Sequence, residues 1–285
     1  MASSSHSPKG STSTSRGGPT PSGPAPLISL NALVFDISGS TQSMGDAPVE
    51  QLHELVSRLQ SDAMKDDRNI RLSLHTFDDQ IRQIFPKDTK HHSVDLRTFD
   101  IPTIDELREI LRPRGCTALY DAGILGLEAL EKAYDEEVSK LPKSIRLLDP
   151  YISRCFVLST DGYDNSSEHS ISDFKRALLT AKESGVQPLF LSANINTELN
   201  QQMGFKTNNA SQFQPTYDGM TQMMRATTNM LRQVSSGGTQ TIDTQSLNPP
   251  VSPPPPPTPA DYDPLVPPAM PMPAFGFRPP TLRRY

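Results

Sequence analysis

The sequence has no tryptophan, only two cysteines among its 285 residues, and no apolar run long enough to cross a bilayer. Cys116 and Cys155 form no CxxC motif, which excludes a zinc framework of the usual kind and indicates a reducing compartment. Residues 1–26 contain no apolar core of the kind found in a signal peptide. These absences predict a cytoplasmic protein with no membrane partner.

The charge balance gives a second exclusion. The formal net charge is -5 and the sequence pI is about 5.7, which argues against a general nucleic-acid binder. The basic residues near the C-terminus (Arg278, Arg283 and Arg284) are too few to form a nucleic-acid or membrane patch. We therefore expect no nucleic-acid partner.

Proline is distributed unevenly along the chain. Of the 28 prolines, 15 stand from Pro249 onward and 5 stand before Leu27. Segments rich in proline, serine and glycine bury too little apolar surface to offset the entropy of ordering. The composition predicts a disordered tail at residues 1–26, one folded domain at residues 27–236, and a disordered Pro-rich tail at residues 237–285.

Apolar runs and alternation within the folded part predict strands that alternate with helices. Such alternation is typical of a doubly wound, mainly parallel α/β sheet with helices on both faces. Two neighbouring strands joined by a tight turn form an antiparallel hairpin, and therefore an antiparallel edge strand. The predicted strands are residues 27–36, 70–77, 80–85, 153–159 and 186–192, with a weak edge strand at 212–217.

The helical pattern is clearest in the last predicted helix. Asp218 is predicted to open it, and Met220, Met223 and Met224 lie on one face, where methionine most often fills a packed core. Residues 87–100 are polar and are predicted to form a surface loop.

A short motif follows the first predicted strand, whose residues 30–35 are mostly apolar. Asp36, Ser38 and Ser40 are spaced two apart, and Gly39 allows a tight turn, so their oxygens can converge. Oxygen clusters of this kind suit Mg²⁺, Mn²⁺ or Ca²⁺. The same residue types also cap ordinary turns, and the motif alone leaves both interpretations open.

Two more loops carry oxygen ligands in a fixed order after Asp36, Ser38 and Ser40. Thr117 lies in a Gly-Cys-Thr-Ala-Leu-Tyr-Asp-Ala turn that opens a helix, and Asp161 follows a buried strand. With these motifs the sequence resembles the von Willebrand factor A (integrin I-like) domains, whose metal-ion-dependent adhesion site is Asp-x-Ser-x-Ser, then a distant Thr, then a distant Asp. The resemblance spans about residues 27–236.

The resemblance implies a role for each residue. Ser38, Ser40 and Thr117 would bind a divalent cation through their hydroxyl groups. Asp36 would bind through water or hold the serines in place, and Asp161 would bind directly or through water. Because hydroxyl groups are neutral, such a site leaves the cation electrophilic, and a carboxylate of a protein partner can complete its coordination.

Two further acidic residues lie near these motifs. Asp121 and Asp164 are candidates for orienting the ligands, although a helix N-terminal charge and a turn residue explain them equally well.

Met44 stands a few residues beyond Ser40, where many family members have Met directly after the last serine. This difference lengthens the loop and leaves the ligand positions unchanged.

Two other functions compete with metal-dependent protein binding. A phosphoryl-transfer enzyme of the haloacid-dehalogenase type needs a second Asp where Ser38 stands, and a receiver domain needs a Lys where Ala193 and Asn194 stand. We therefore expect no enzyme. A scaffold would act through the Pro-rich tail, whose PxxP spacings could dock SH3 or WW modules.

Overall fold

The computed structural model describes residues 26–88, 90–146 and 152–237. The two predicted tails fall outside these ranges except for Pro26 and Gly237, so their disorder and their partners stay predictions. Within the described ranges, no helix combines the length and apolar character that crossing a membrane requires.

The described residues form a single sheet of seven strands. The strands are β1 Ile28–Asp36, β2 Asn69–Phe77, β3 Ile81–Phe85, β4 Val94–Asp95, β5 Ile152–Thr160, β6 Val186–Ser192 and β7 Ala210–Gln212. Their order in the sheet is β3-β2-β1-β5-β6-β7, with β4 also paired to β2. Strands β2, β1, β5, β6 and β7 are parallel, and β3 and β4 run antiparallel to β2 at one edge. This confirms the predicted α/β class with its antiparallel edge.

Helices cover both faces of the sheet. Successive side chains of a strand point to opposite faces, and in the central strands the side chains on both faces are apolar. Leu33 and Phe35 of β1 pack with residues of α1 and α7, whereas Ala32 and Val34 pack with residues of α3 and α5. The methionine stripe of α7 lies in the first of these cores. The helices are α1 Ala47–Lys65, α2 Ile104–Ile110, α3 Leu119–Lys140, α4 Lys143–Arg146, α5 Ile171–Glu183, α6 Thr197–Gln202 and α7 Tyr217–Ser235.

Three predicted elements differ from the structure. The edge strand expected at 212–217 is wrong: β7 pairs with β6 only from Ala210 to Gln212, and Pro215 has no N–H to extend the pairing. Helix α7 begins at Tyr217, before Asp218, because the Thr216 side chain caps it by accepting a hydrogen bond from Gly219 N. The polar segment 87–100 includes β4, a two-residue strand that pairs with β2.

The strand order places one crevice at the carboxyl ends of β1 and β5. The chain passes from β1 to β2 on one side, and from β5 to β6 and β7 on the other, so the order reverses between β1 and β5. Ligands of open parallel sheets bind at such a point. The pairing of Phe35 with Ser159 brings the last residues of β1 and β5, Asp36 and Thr160, to this crevice.

Helix α3 depends on a close approach to the sheet at Gly126. A Cβ at this position would lie 2.5 Å from Val34 Cγ2 and 2.9 Å from Phe156 Cε2, both closer than van der Waals contact. We expect Gly126→Ala to lower the free energy of unfolding by about 1–3 kcal/mol through overpacking. Urea unfolding measures this free energy. Glu128→Ala, at an exposed site of the same helix, is the control. It should change the free energy of unfolding by less than about 0.5 kcal/mol. Equal stability of the two variants would contradict the packing account.

Candidate metal centre

The loop after β1 places two serine hydroxyl groups side by side. Asp36 ends the strand, and its Oδ1 accepts a 2.7 Å hydrogen bond from Ser38 N, which turns the chain back on itself. A 3₁₀ helix, Gly39–Met44, follows directly. The Ser38 and Ser40 hydroxyl oxygens are then 3.0 Å apart, so both lie at the same end of the sheet.

The loop after β5 meets these serines. Ser40 Oγ donates a 2.7 Å hydrogen bond to Asp161 Oδ1. One residue earlier, the Thr160 hydroxyl donates to Asp36 Oδ2. Ser38, Ser40 and Asp161 therefore form a continuous chain of hydrogen-bonding oxygens, and Asp36 lies beside it, with both of its carboxylate oxygens engaged.

The third loop brings Thr117 to the same place. A Cβ atom added to Gly162 would lie 3.7 Å from Ser40 Oγ and 3.9 Å from Thr117 Oγ1, so both hydroxyl groups border the space beside this glycine. The backbone of Thr117 is held on both sides by Asn165: Thr117 N donates to Asn165 Oδ1 at 2.7 Å, and Asn165 N donates to Thr117 O at 3.0 Å. All five oxygen-bearing residues predicted from the sequence thus lie at one edge of the sheet.

Burial makes the two carboxylates unusual. Desolvation raises the pKa of Asp36 to about 6, although hydrogen bonds from Thr160 and Ser38 oppose the rise and the nearby Asp161 charge adds to it. Burial also raises the pKa of Asp161, against the hydrogen bond from Ser40. No described lysine, arginine or histidine forms an ion pair with either carboxylate, and none is among the main causes of either pKa shift. The site is therefore an acidic pair without a positive partner in this part of the chain.

These residues fit a hard divalent cation. Their donors are hydroxyl and carboxylate oxygens, the ligands that Mg²⁺, Mn²⁺ and Ca²⁺ prefer. Because Gly162 has no Cβ, the space beside it stays open next to the Ser40 and Thr117 hydroxyl groups. Among the described residues, no group of three or more His, Cys, Asp or Glu side chains could hold a metal, so a cation here would depend on the hydroxyl groups as well as the two carboxylates.

The carboxylates of Asp121 and Asp164 form their hydrogen bonds outside the other five residues. The Asp121 carboxylate accepts hydrogen bonds from the backbone N–H groups of Glu168 and His169 at 2.8 and 2.9 Å. Asp164 Oδ1 accepts a 2.9 Å bond from Leu119 N at the start of α3. Both carboxylates tie the loop after β5 to the first turn of α3, and so act on the site through the backbone.

Sequence reasoning missed several residues that hold the ligand loops. Thr160 orients Asp36. The position of its hydroxyl group, directly before Asp161 in the sequence, is the signal from which this role could have been predicted. Asn194 has a positive φ of 57° and donates from Nδ2 to Asp161 O at 3.1 Å. Neither Asn194 nor Asn165 had a distinctive sequence signal, because their roles depend on loop conformation.

An ion pair between a buried aspartate and an exposed arginine also holds the loop that carries Thr117. Asp78, only 1% exposed, accepts a 2.8 Å hydrogen bond from Arg114 Nε, and its backbone oxygen accepts one from Ala118 N at the same distance. Arg114 N in turn donates to Ile37 O at 2.8 Å. This network links the residues around Thr117 to the ends of β1 and β2. The sequence predicts only a tight turn at Asp78.

No protein-family model matches the sequence, and no curated protein matches it. Among solved structures, the chain is similar to proximal thread matrix protein 1 from the mussel byssus with a zinc-occupied MIDAS motif (15% identity, TM-score 0.48, 73% of this chain and 49% of that one). It is also similar to the manganese-loaded TRAP protein of Plasmodium vivax (18%, 0.43, 70% and 72%) and to a von Willebrand factor type A structure from Catenulispora acidiphila (14%, 0.46, 72% and 42%). The chain spans about half the length of the mussel protein. At this level of similarity the three structures bear on the fold alone. The choice of candidate ligand residues rests on the geometry described above.

The hydrogen bond from Thr160 to Asp36 gives a direct test of the electrostatics. Because that bond stabilises the charged carboxylate, we expect Thr160→Val to raise the pKa of Asp36 above its value of about 6 in the metal-free protein. Carboxyl-detected NMR titration measures this pKa. Thr160→Ser retains the hydroxyl and serves as the control. An Asp36 pKa that stays the same or falls in Thr160→Val would show that Thr160 does not act on this carboxylate.

Proposed function

We propose that the folded domain is a metal-dependent protein-binding module of the von Willebrand factor A type. Ser38, Ser40 and Thr117 would hold a divalent cation through their hydroxyl groups, with Asp36 and Asp161 close by. When bound, the cation supplies an electrophilic position that accepts a carboxylate of a partner protein. Mg²⁺ is the expected ion, with Mn²⁺ and Ca²⁺ as the alternatives.

One observation carries this proposal. The hydroxyl groups of Ser38 and Ser40 and the carboxylate of Asp161 form one hydrogen-bonded chain at the crevice between β1 and β5. Thr117 borders the same space, and the buried acids have no positive partner among the described residues. Burying two acids together is costly unless a cation compensates them, and the surrounding oxygens suit such a cation.

The geometry supports a positioning role for Asp36. Both of its oxygens already accept hydrogen bonds, from Ser38 N and from the Thr160 hydroxyl. A carboxylate held in this way orients the serine loop and is poorly placed to attack a phosphoryl group. We therefore favour a binding module over a phosphoryl-transfer enzyme.

Two further parts of the proposal rest on the sequence. An intracellular setting is supported by two cysteines that stay unpaired, Cys116 exposed and Cys155 buried. The scaffold alternative places partner binding in the Pro-rich tail, which lies outside the described residues. Binding through the tail would not depend on a metal, so a chelator separates the two functions.

Cation binding to the folded state should raise its stability. At free Mg²⁺ or Mn²⁺ about a hundred times the Kd, we expect the wild-type protein to gain about 2.7 kcal/mol, seen as a higher Tm. The double variant Ser38→Ala, Ser40→Ala should lose this gain. Ser166→Ala, in an exposed position of the loop after β5, is the matched control and should keep it. If the double variant gains as much as wild type, the cation is bound elsewhere.

Partner binding should require the same serines. Crosslinked capture from cell extract with the full chain should yield proteins that are lost on addition of EDTA and with the Ser38→Ala, Ser40→Ala variant. Ser166→Ala should capture them as wild type does. Partners that survive EDTA but disappear when residues 237–285 are removed would instead favour the tail scaffold.

A further inference from the structure

A separate cavity of about 220 Å³ opens beside the proposed metal centre. Two tyrosine rings, Tyr120 and Tyr163, line it together with the acidic residues Asp164 and Glu198 and the amide of Gln202. Among the described residues, no lysine, arginine or histidine lines this cavity. It is therefore a concave, aromatic and acidic site.

The cavity adjoins the metal centre through the loop after β5. Tyr163 directly follows Gly162, the glycine that borders the Ser40 and Thr117 hydroxyl groups. Consecutive Cα atoms are about 3.8 Å apart, so the cavity wall begins one residue from that space. Gly162 borders the hydroxyl groups while Tyr163 and Asp164 line the cavity, so one loop forms part of both sites.

The lining has unused capacity for a positive charge. The hydrogen bonds that Asp164 accepts within the described part of the chain all go to Oδ1, which leaves Oδ2 open. Glu198 is exposed and forms no ion pair with a described residue. Tyr163 is 50% exposed at the rim, where its ring face can contact a cation.

We propose that this cavity binds a lysine or arginine side chain of the same partner segment whose carboxylate reaches the metal centre. The inference rests on the proposed function, because it assumes that the partner is anchored there by an acidic residue. The acidic and aromatic lining favours a basic side chain over an apolar or acidic one. Recognition would then require one acidic and one basic residue at a preferred spacing.

Peptide selection tests this proposal with random sequences, so the partner need not be identified first. The immobilised full chain is exposed to a phage-displayed library of random peptides in Mg²⁺ or Mn²⁺, and bound phage are eluted with EDTA. We expect eluted peptides to contain an acidic residue and, at one preferred spacing, a lysine or arginine. Replacing that basic residue by glutamine in a synthetic peptide should weaken binding to wild type by about three- to ten-fold.

A double-mutant cycle then assigns the basic residue to the cavity. The glutamine replacement in the peptide should weaken binding much less when the protein is the Glu198→Gln, Tyr163→Ala variant. When the protein is the control Glu128→Gln, the replacement should weaken binding as much as it does with wild type. Acidic peptides without a basic preference, or a basic preference that does not couple to Glu198 and Tyr163, would overturn this inference and leave the proposed function standing. If EDTA releases no acidic peptides, the proposed function fails, and this inference fails with it.

Discussion

Two buried carboxylates at one crevice of the sheet are the constraint on which the site depends. Asp36 ends β1 and Asp161 directly follows the neighbouring parallel strand β5, so the fold itself brings their charges together. Burial raises the pKa of each, and only hydroxyl and backbone hydrogen bonds offset the cost of charging them. A divalent cation would remove this cost, and we therefore regard the arrangement as prepared for one.

The loops around the acids are held by contacts that leave the side chains of the proposed ligands free of them. Asn165 fixes the backbone of Thr117, Asp121 holds the loop after β5, and the pair of Asp78 with Arg114 anchors the segment before Thr117. Because these contacts hold the backbone of the loops, the oxygens of the proposed site would already be in position when a cation binds. Ordering them in advance lowers the entropic cost of binding.

Sequence reasoning reached the fold class because buried strands such as β1 are apolar and helices such as α7 have a regular apolar face. It placed Asp36 and Asp161 together because the carboxyl ends of parallel strands meet at one edge of the sheet, and it placed Thr117 with them through the resemblance of the three motifs. It missed the limits of β7, whose three residues are defined by pairing with β6 and not by composition. It also missed Thr160 and Asn165, because strand register and loop conformation are needed to see what their side chains contact.

Paramagnetic broadening by Mn²⁺ tests the central claim most directly. In amide NMR spectra of the full chain, small additions of Mn²⁺ should broaden first the signals of residues beside the five oxygen ligands, with Gly39 and Gly162 among them, and excess Mg²⁺ should restore these signals. Broadening that begins at exposed acidic residues elsewhere, or that Mg²⁺ does not reverse, would contradict a cation site at the crevice between β1 and β5.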